Sequence, residues 1–258
     1  MKITVLGCGS SGGTPLLGPD GWADIDRENP RNRRRRPSIL VETDTTRILV
    51  DTSPDLRYQL LDANVWEIDA ILFTHAHADH VNGIDDIRTL NFHHGGALDA
   101  YSNAETLDML QTRFAYIFEP YRDVNPQFWR PCLNPIEIDG PFTVGDIDVQ
   151  PFTQEHGRMS SLGFRFGPFG YSTDVKTLSE DAFALLDGIE VWIVDALSDN
   201  PHPTHSHVDQ TLDWIARLAP KRAVLTHLSH RTDYARLAAR LPAGVEPGYD
   251  GMVIHIPE

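Results

Sequence analysis

The chain has 258 residues, 41% apolar and 23% charged, with no run approaching the roughly 20 apolar residues of a membrane span. Its 22 Lys and Arg against 37 Asp and Glu leave a formal charge of −15 with His neutral, which argues against broad, sequence-independent nucleic-acid binding. Two cysteines, Cys8 and Cys132, exclude a disulfide framework and a cysteine zinc site, so the 12 histidines are the composition's chemical signal.

The first residues, Met1-Lys2-Ile3-Thr4-Val5-Leu6-Gly7, carry no signal-peptide apolar region, and a cytoplasmic protein is expected. β-branched and apolar runs predict strands at 3–6, 39–42, 48–50 and 70–73, separated by an irregular segment 7–36 dense in Gly, Pro, Asp and Arg. Helical spacing follows at 55–62 and 105–117, then a second irregular stretch, 120–141, rich in Pro and aromatics. The second half predicts strands at 149–152, 163–166, 171–173, 191–194, 223–225 and 253–256, with helices at 179–186, 208–218 and 233–241. Strands in series with interleaved helices, and no linker or repeat, indicate one α/β domain over 1–258.

The most informative stretch is Thr74-His75-Ala76-His77-Ala78-Asp79-His80, directly after the apolar run 70–73. On the extended exit of a strand, residues two apart face the same way, so His75 and His77 can hold one metal together. Where the chain turns into a helix, Asp79 and His80 are displaced to a second position. Four ligand-type residues in six positions therefore suit two adjacent ions.

This motif resembles the hallmark of the metallo-β-lactamase superfamily. The resemblance implies a four-layered αββα sandwich, with two mixed sheets and helices on the outer faces, as a single hydrolase domain. It also implies that His75, His77, His156 and Asp174 hold one divalent ion, and Asp79, His80, Asp174 and His227 the other, with Asp174 bridging through its two oxygens. His156, Asp174 and His227 each follow or end a predicted strand. Nitrogen and carboxylate oxygen suit Zn²⁺, Mn²⁺ or Fe²⁺ alike.

Pro203-Thr204-His205-Ser206-His207-Val208, ahead of helix 208–218, resembles the phosphodiesterase branch that contains phosphoribosyl 1,2-cyclic phosphate phosphodiesterase, of the carbon–phosphorus lyase pathway. In that branch a His ahead of this helix protonates the leaving oxygen, and the match falls on His205; His207 sits where a helix cap is expected. Two solvated histidines are the plainer alternative. The segments Leu6 to Pro15, Asp79 to Gly83, Thr226 to His230 and Gly248 to Met252 resemble the same branch. Ser11, Gly12 and His207 are therefore candidate substrate contacts, the glycine segment offering amides to a phosphate; a tight packing turn explains it equally well. Asp250 is a candidate for orienting a ligand His.

Members of that branch can carry a structural zinc on three loop cysteines and a His. Here His230 is present but residues 18–26 contain no Cys, so a third metal is not expected, and Trp22 packing or Asp–His230 contacts should hold the loop. The run Arg31-Asn32-Arg33-Arg34-Arg35-Arg36 could grip a substrate phosphate or be simply solvated. His93 and His94, read as a loop, could line the pocket, and Phe118, Phe128 and Trp129 could stack on a base, with surface and packing roles as alternatives.

The resulting expectation is a dinuclear metal-dependent phosphodiesterase, with His205 and Asp79 as catalytic residues and a hydroxide held between two Zn or Mn (or Fe) ions attacking phosphorus. Its ligand would be a small cyclic phosphate or nucleotide-like ester rather than extended nucleic acid or membrane, and a homodimer is compatible. The alternatives are a tRNA 3′-processing endonuclease, a glyoxalase II-like thioesterase and a non-catalytic nucleotide-binding protein.

Overall fold

The computed structural model describes residues 1–120 and 130–257. Its strands are β1 (Lys2–Gly7), β2 (Ser38–Glu42), β3 (Arg47–Val50), β4 (Ala70–Leu72), β5 (Leu98–Ser102), β6 (Leu133–Glu137) and β7 (Phe142–Val144). They continue with β8 (Ile147–His156), β9 (Met159–Phe166), β10 (Phe169–Ser172), β11 (Val191–Asp195), β12 (Arg222–Thr226), β13 (Val245–Pro247) and β14 (Val253–His255). The helices are α1 (Leu56–Ala63), α2 (Ala78–Val81), α3 (Ile87–His94), α4 (Ala104–Arg113), α5 (Ala115–Phe118), α6 (Glu180–Leu186), α7 (Val208–Leu218) and α8 (Tyr234–Ala238).

One sheet runs β14-β1-β2-β3-β4-β5-β6 and the other β13-β12-β11-β10-β9-β8-β7. Both are mixed. In the first, β14, β1, β2 and β3 pair antiparallel and β3 to β6 parallel. In the second, β10 to β13 pair parallel and β7 to β10 antiparallel.

The alternation of side chains builds the layers. Ile39, Val41, Ile48 and Val50 point between the sheets, where they meet Val149, Phe164, Tyr171, Ile193 and Val224. Their neighbours Leu40, Leu49 and Ile71 point outward onto Leu56, Leu60, Leu90 and Leu110 of the helices. On the other sheet Trp192, Val194 and Leu225 point outward onto Phe183, Ile215 and Leu237. Because both faces of the central strands are covered, those strands read as continuous apolar runs, and each fully buried side chain contributes roughly 1.5–3 kcal/mol. The expected αββα sandwich is the observed architecture.

Several local expectations need correction. The helix expected at 105–117 is two helices, broken at Phe114 (φ −123°, ψ 39°). The irregular stretch expected at 120–141 contains β6, an edge strand that tolerates Pro135 because only one of its sides needs a ladder. His93 and His94 end helix α3, and His93 lines an outer groove with Leu60, Leu61 and Trp66 rather than the strand-end cleft. Phe118 packs on the outer core of the first sheet; Phe128 and Trp129 lie outside the described residues. Loop 18–26 is tied down through the Asp24–Arg236 ion pair, the Asp26 amide on Asp233 Oδ2 and Arg33 stacked on Trp22, rather than through His230.

Candidate metal centre and active site

The site forms where strands of the two sheets end side by side. Asp51 follows β3, His75 and His77 lie just past β4, His156 ends β8, Asp174 lies past β10, Asp195 ends β11, and His227 follows β12. Asp51, Asp174 and His227 adopt left-handed backbone conformations, with φ of 64°, 53° and 55°. This conformation costs a non-glycine residue on the order of 1 kcal/mol, and it turns each chain sharply at the strand end. Three such residues at one edge mark a place where backbone strain is tolerated in exchange for side-chain placement.

Three ligand-type groups result, each with donor atoms within 4.8 Å of one another: His75, His77, His156 and Asp174 in the first, Asp79, His80, Asp174 and His227 in the second, and Asp195, His205 and His227 in the third. In the first, His77 Nδ1 lies 2.9 Å from His75 Nε2 and 3.2 Å from His156 Nε2. In the second, His80 Nε2 is 3.4 Å from Asp79 Oδ2 and 3.0 Å from Asp174 Oδ2, and His227 Nε2 is 3.6 Å from Asp79 Oδ2. Asp174 belongs to the first two groups: its Oδ1 lies 3.8 Å from His75, 3.6 Å from His156 and 3.4 Å from His227. The structure thus brings together all seven residues singled out in the sequence.

The far sides of His75, His80 and His156 are each fixed by a partner. His80 Nδ1 donates to Asp51 Oδ2 at 2.7 Å, and His156 Nδ1 donates to the Thr204 carbonyl at 2.8 Å. The Thr74 hydroxyl donates to Asp51 Oδ2 at 2.8 Å and lies 3.0 Å from His75 Nδ1, whose N–H it can accept. The fully buried Asp51 therefore steadies a ring in each of the first two groups, presenting Nε2 of His75 and His80 inward.

The donor set fits divalent cations. His80 Nε2 and His227 Nε2 are buried without a hydrogen-bond partner, their ring nitrogens facing carboxylates at poor hydrogen-bond geometry. Burial opposes the charged form of His227, but Asp174, Asp79 and Asp195 outweigh it and push its pKa up to about 9. Burial likewise opposes a charged His80, yet Asp174, Asp79 and Asp51 hold it well above the usual range. Burial favours a neutral Asp174, but His227 and His80 hold its carboxyl well below the usual range. The carboxylates thus demand positive charge, which protons supply in this arrangement and divalent cations can supply in their place.

His205 stands at the rim of this cluster and is nearly buried. Its ring stacks on His227 (centroids 4.5 Å apart, 16° between planes), with Nδ1 2.8 Å from Asp195 Oδ2 and Nε2 3.9 Å from Asp174 Oδ1. Asp195 is fully buried and also accepts the Val175 amide, so the acid is itself fixed.

A family model of the β-lactamase superfamily domain matches residues 46–228. The chain belongs to the β-lactamase superfamily. It has the metallo-β-lactamase fold, and it superposes on the crystal structure of a diphosphatase of the PhnP family with a TM-score of 0.88, at 33% identity, covering 98% of this chain and 96% of that one. It is 35% identical over 263 aligned positions to an octanoyltransferase of Porphyromonas gingivalis, covering 100% of this chain and 52% of that protein. A ribonuclease Z of Methanopyrus kandleri is 31% identical over 132 positions, covering 50% of this chain and 43% of that protein. The chain therefore spans about half the length of these curated relatives.

Other candidate residues of the chain fall differently. The loop after β1 reaches the cluster through the Ser10 amide on the Leu228 carbonyl (3.1 Å), while Ser11 is exposed and Gly12 packs closely on Leu16. His207 occupies the position before α7 but makes no side-chain cap hydrogen bond. Asp250 does not reach a ligand His: its carboxylate accepts the Cys8 amide (3.1 Å) and the Arg35 amide (2.7 Å), clamping the glycine segment to the arginine run. The orienting acids are instead Asp51 and Asp195. Both directly follow a predicted strand, as Asp174 does, and that shared position was the available sequence signal.

Proposed function

We propose that the chain is a dinuclear metal-dependent phosphoesterase acting on a small nucleotide-like phosphodiester or diphosphate in the cytoplasm, with His205 as general acid. His75, His77, His156 and Asp174 would hold one ion and Asp79, His80, Asp174 and His227 the other, as one domain of 258 residues. When bound, a pair of divalent ions lowers the pKa of water and offsets charge on phosphoryl oxygens. Zn²⁺ and Mn²⁺ both suit the donors.

The observation that carries the reading is the His205–Asp195 pair. A carboxylate can only accept from the His205 Nδ1–H, which leaves Nε2 as the atom turned toward the cluster. A protonated His205 would deliver its Nε2 proton to the departing oxygen, and Asp195 would stabilise the imidazolium before that transfer. Asp51, directly and through Thr74, and the Thr204 carbonyl keep His80, His75 and His156 from turning, so substrate would meet a largely preset arrangement. The likeness to a diphosphatase supports a phosphorus-centred reaction, and the charge of −15 supports a small anionic substrate over a long one.

The likeness to ribonuclease Z favours tRNA 3′-processing as the second reading. The test is a substrate panel on Mn²⁺- and Zn²⁺-loaded protein: a nucleoside 2′,3′-cyclic phosphate, a dinucleoside diphosphate, a pre-tRNA and S-lactoylglutathione. The proposal expects turnover of one of the first two, at least a hundredfold above the others. Preferential cleavage of pre-tRNA would establish the second reading, and hydrolysis of the thioester alone would remove both.

A further inference from the structure

A cavity of about 630 Å³ opens between the outer edge of β1 and β14, the end of α1 and the loop segment through Arg36, and none of the seven ligand-type residues lines it. We propose that this cavity is a second ligand site, which takes a small phosphate-bearing anion of nucleotide size.

Charge is the first argument. Lys2 and the four arginines 33–36 line the cavity against three carboxylates, Asp55, Asp62 and Asp250, in a chain whose net charge is −15. The cavity thus gathers five of the chain's 22 Lys and Arg, and a concave, low-dielectric wall focuses their field. Its volume falls inside the range of roughly 300–1,000 Å³ usual for small-molecule sites.

The state of those cations is the second. Arg35 pairs with Asp62 at 2.6 Å, but Asp62 is 66% exposed, and Arg36 pairs with Asp55 at 3.1 Å. The pair to the exposed Asp62 contributes about 0–1 kcal/mol, so a phosphate offering bidentate acceptors can take Arg35 from it at little cost, whereas the half-buried Asp55 also accepts the Arg36 amide and stays in place. Asp250 competes weakly, because both its oxygens are engaged by backbone amides.

The third argument is unmet hydrogen-bonding capacity. Arg34 is 2% exposed, and its guanidinium donates to the Ser229 carbonyl and Asn32 Oδ1 at 3.3 Å each, yet its Nε is buried without a partner. Thr14 Oγ1 is buried without a partner as well. The two residues pair through their backbones (2.8 and 3.0 Å), and both line the cavity. Both orphans lie behind the cavity wall, so a ligand reaches them only when their side chains turn toward it. Pro15, Pro30 and Ala63 add an apolar wall on which a sugar or base can lie.

The loop that carries Thr14 is bonded at its other end, through the Ser10 amide, to the carbonyl of Leu228, the residue after His227, so the two sites are distinct but joined by one loop. Their occupants must be separated experimentally. Calorimetric titration of the metal-loaded protein with 5′-AMP should show two classes of site. Asp174→Asn should abolish one class and keep the other, and adding Arg35→Gln with Arg36→Gln should weaken the remaining class at least tenfold. That class should also weaken as salt rises from about 50 to 300 mM, whereas a neutral pocket would not respond. Ala63→Trp, which fills the cavity without removing an arginine, gives the same loss if the arginine pair perturbs folding. No AMP binding to Asp174→Asn, or unchanged binding after both the arginine and the Ala63 substitutions, would overturn the proposal.

Discussion

Replacing His205 with Ala should remove the proton donor while leaving both four-residue ligand groups complete. His205 Nδ1 is held 2.8 Å from Asp195 Oδ2, and its Nε2 reaches to 3.9 Å from Asp174 Oδ1, so the ring is fixed at the edge of the reaction space. A positioned general acid contributes on the order of 10²–10⁴ in rate, about 3–5 kcal/mol of barrier. That contribution is realised in full only when the departing oxygen is a poor leaving group. The assay is therefore paired: a nucleoside phosphodiester with an alkoxide leaving group, and bis(p-nitrophenyl) phosphate, which departs without help. The variant should lose 10²–10⁴ on the first and less than about tenfold on the second, with metal content unchanged by elemental analysis. Equal losses on both would refute the acid role. Loss of one metal equivalent would refute it too, because His205 also lies with Asp195 and His227 in a group whose donor atoms fall within 4.8 Å, and would then be a ligand.

Three further outcomes follow from the same geometry. Asp51→Asn places an amide where the His80 Nδ1–H and the Thr74 amide both need an acceptor, and should weaken metal binding 10- to 100-fold by competition against a chelator, without changing the number of sites. Asp250 has its carboxyl pushed up to about 6 by burial, from an ordinary 3.8, so the folded chain binds the extra proton and stability should fall as pH rises from about 4 to 6, then level off. The full shift corresponds to about 3 kcal/mol, which the residue's half-buried setting trims to about 1–2; urea midpoints of wild type and Asp250→Asn should differ in slope across that window and run parallel above it. Trp192 is fully buried on the outer face of the second sheet, with its indole N–H on Ser172 Oγ at 3.1 Å, and Trp192→Ala should cost about 3–5 kcal/mol in denaturant unfolding.

Much of the site was legible because its chemistry sits at fixed places relative to strong signals. His75 and His77 follow a run that is buried on both faces, and such runs announce themselves as apolar whatever their partners. Asp51 and Asp195 stand in the same relation to their strands as Asp174, but linear order does not say which acids turn toward metals and which toward the backs of imidazoles. Their roles depend on β3 and β11 lying beside β4 and β12, a property of sheet order rather than of sequence pattern. The strands that escaped notice have physical reasons as well. β6 and β13 are edges that carry Pro135 and Pro247, and β5 mixes Leu98 and Ala100 with Asp99 and Tyr101. Asp250 misled because a carboxylate near the site reads as a helper of histidine, whereas its oxygens are consumed by the amides of Cys8 and Arg35.

The central claim is that the strand-end cluster is a two-metal phosphoesterase centre, and one titration tests it directly. Metal-stripped protein is titrated with Mn²⁺ or Zn²⁺ while bound metal and hydrolysis of bis(p-nitrophenyl) phosphate are read on the same samples. Activity should climb to a plateau at two equivalents per chain, and Asp174→Ala, which removes the residue common to both four-residue groups, should lose at least one equivalent together with the activity. Full activity in the stripped protein, or a plateau reached at a single equivalent, would contradict the account.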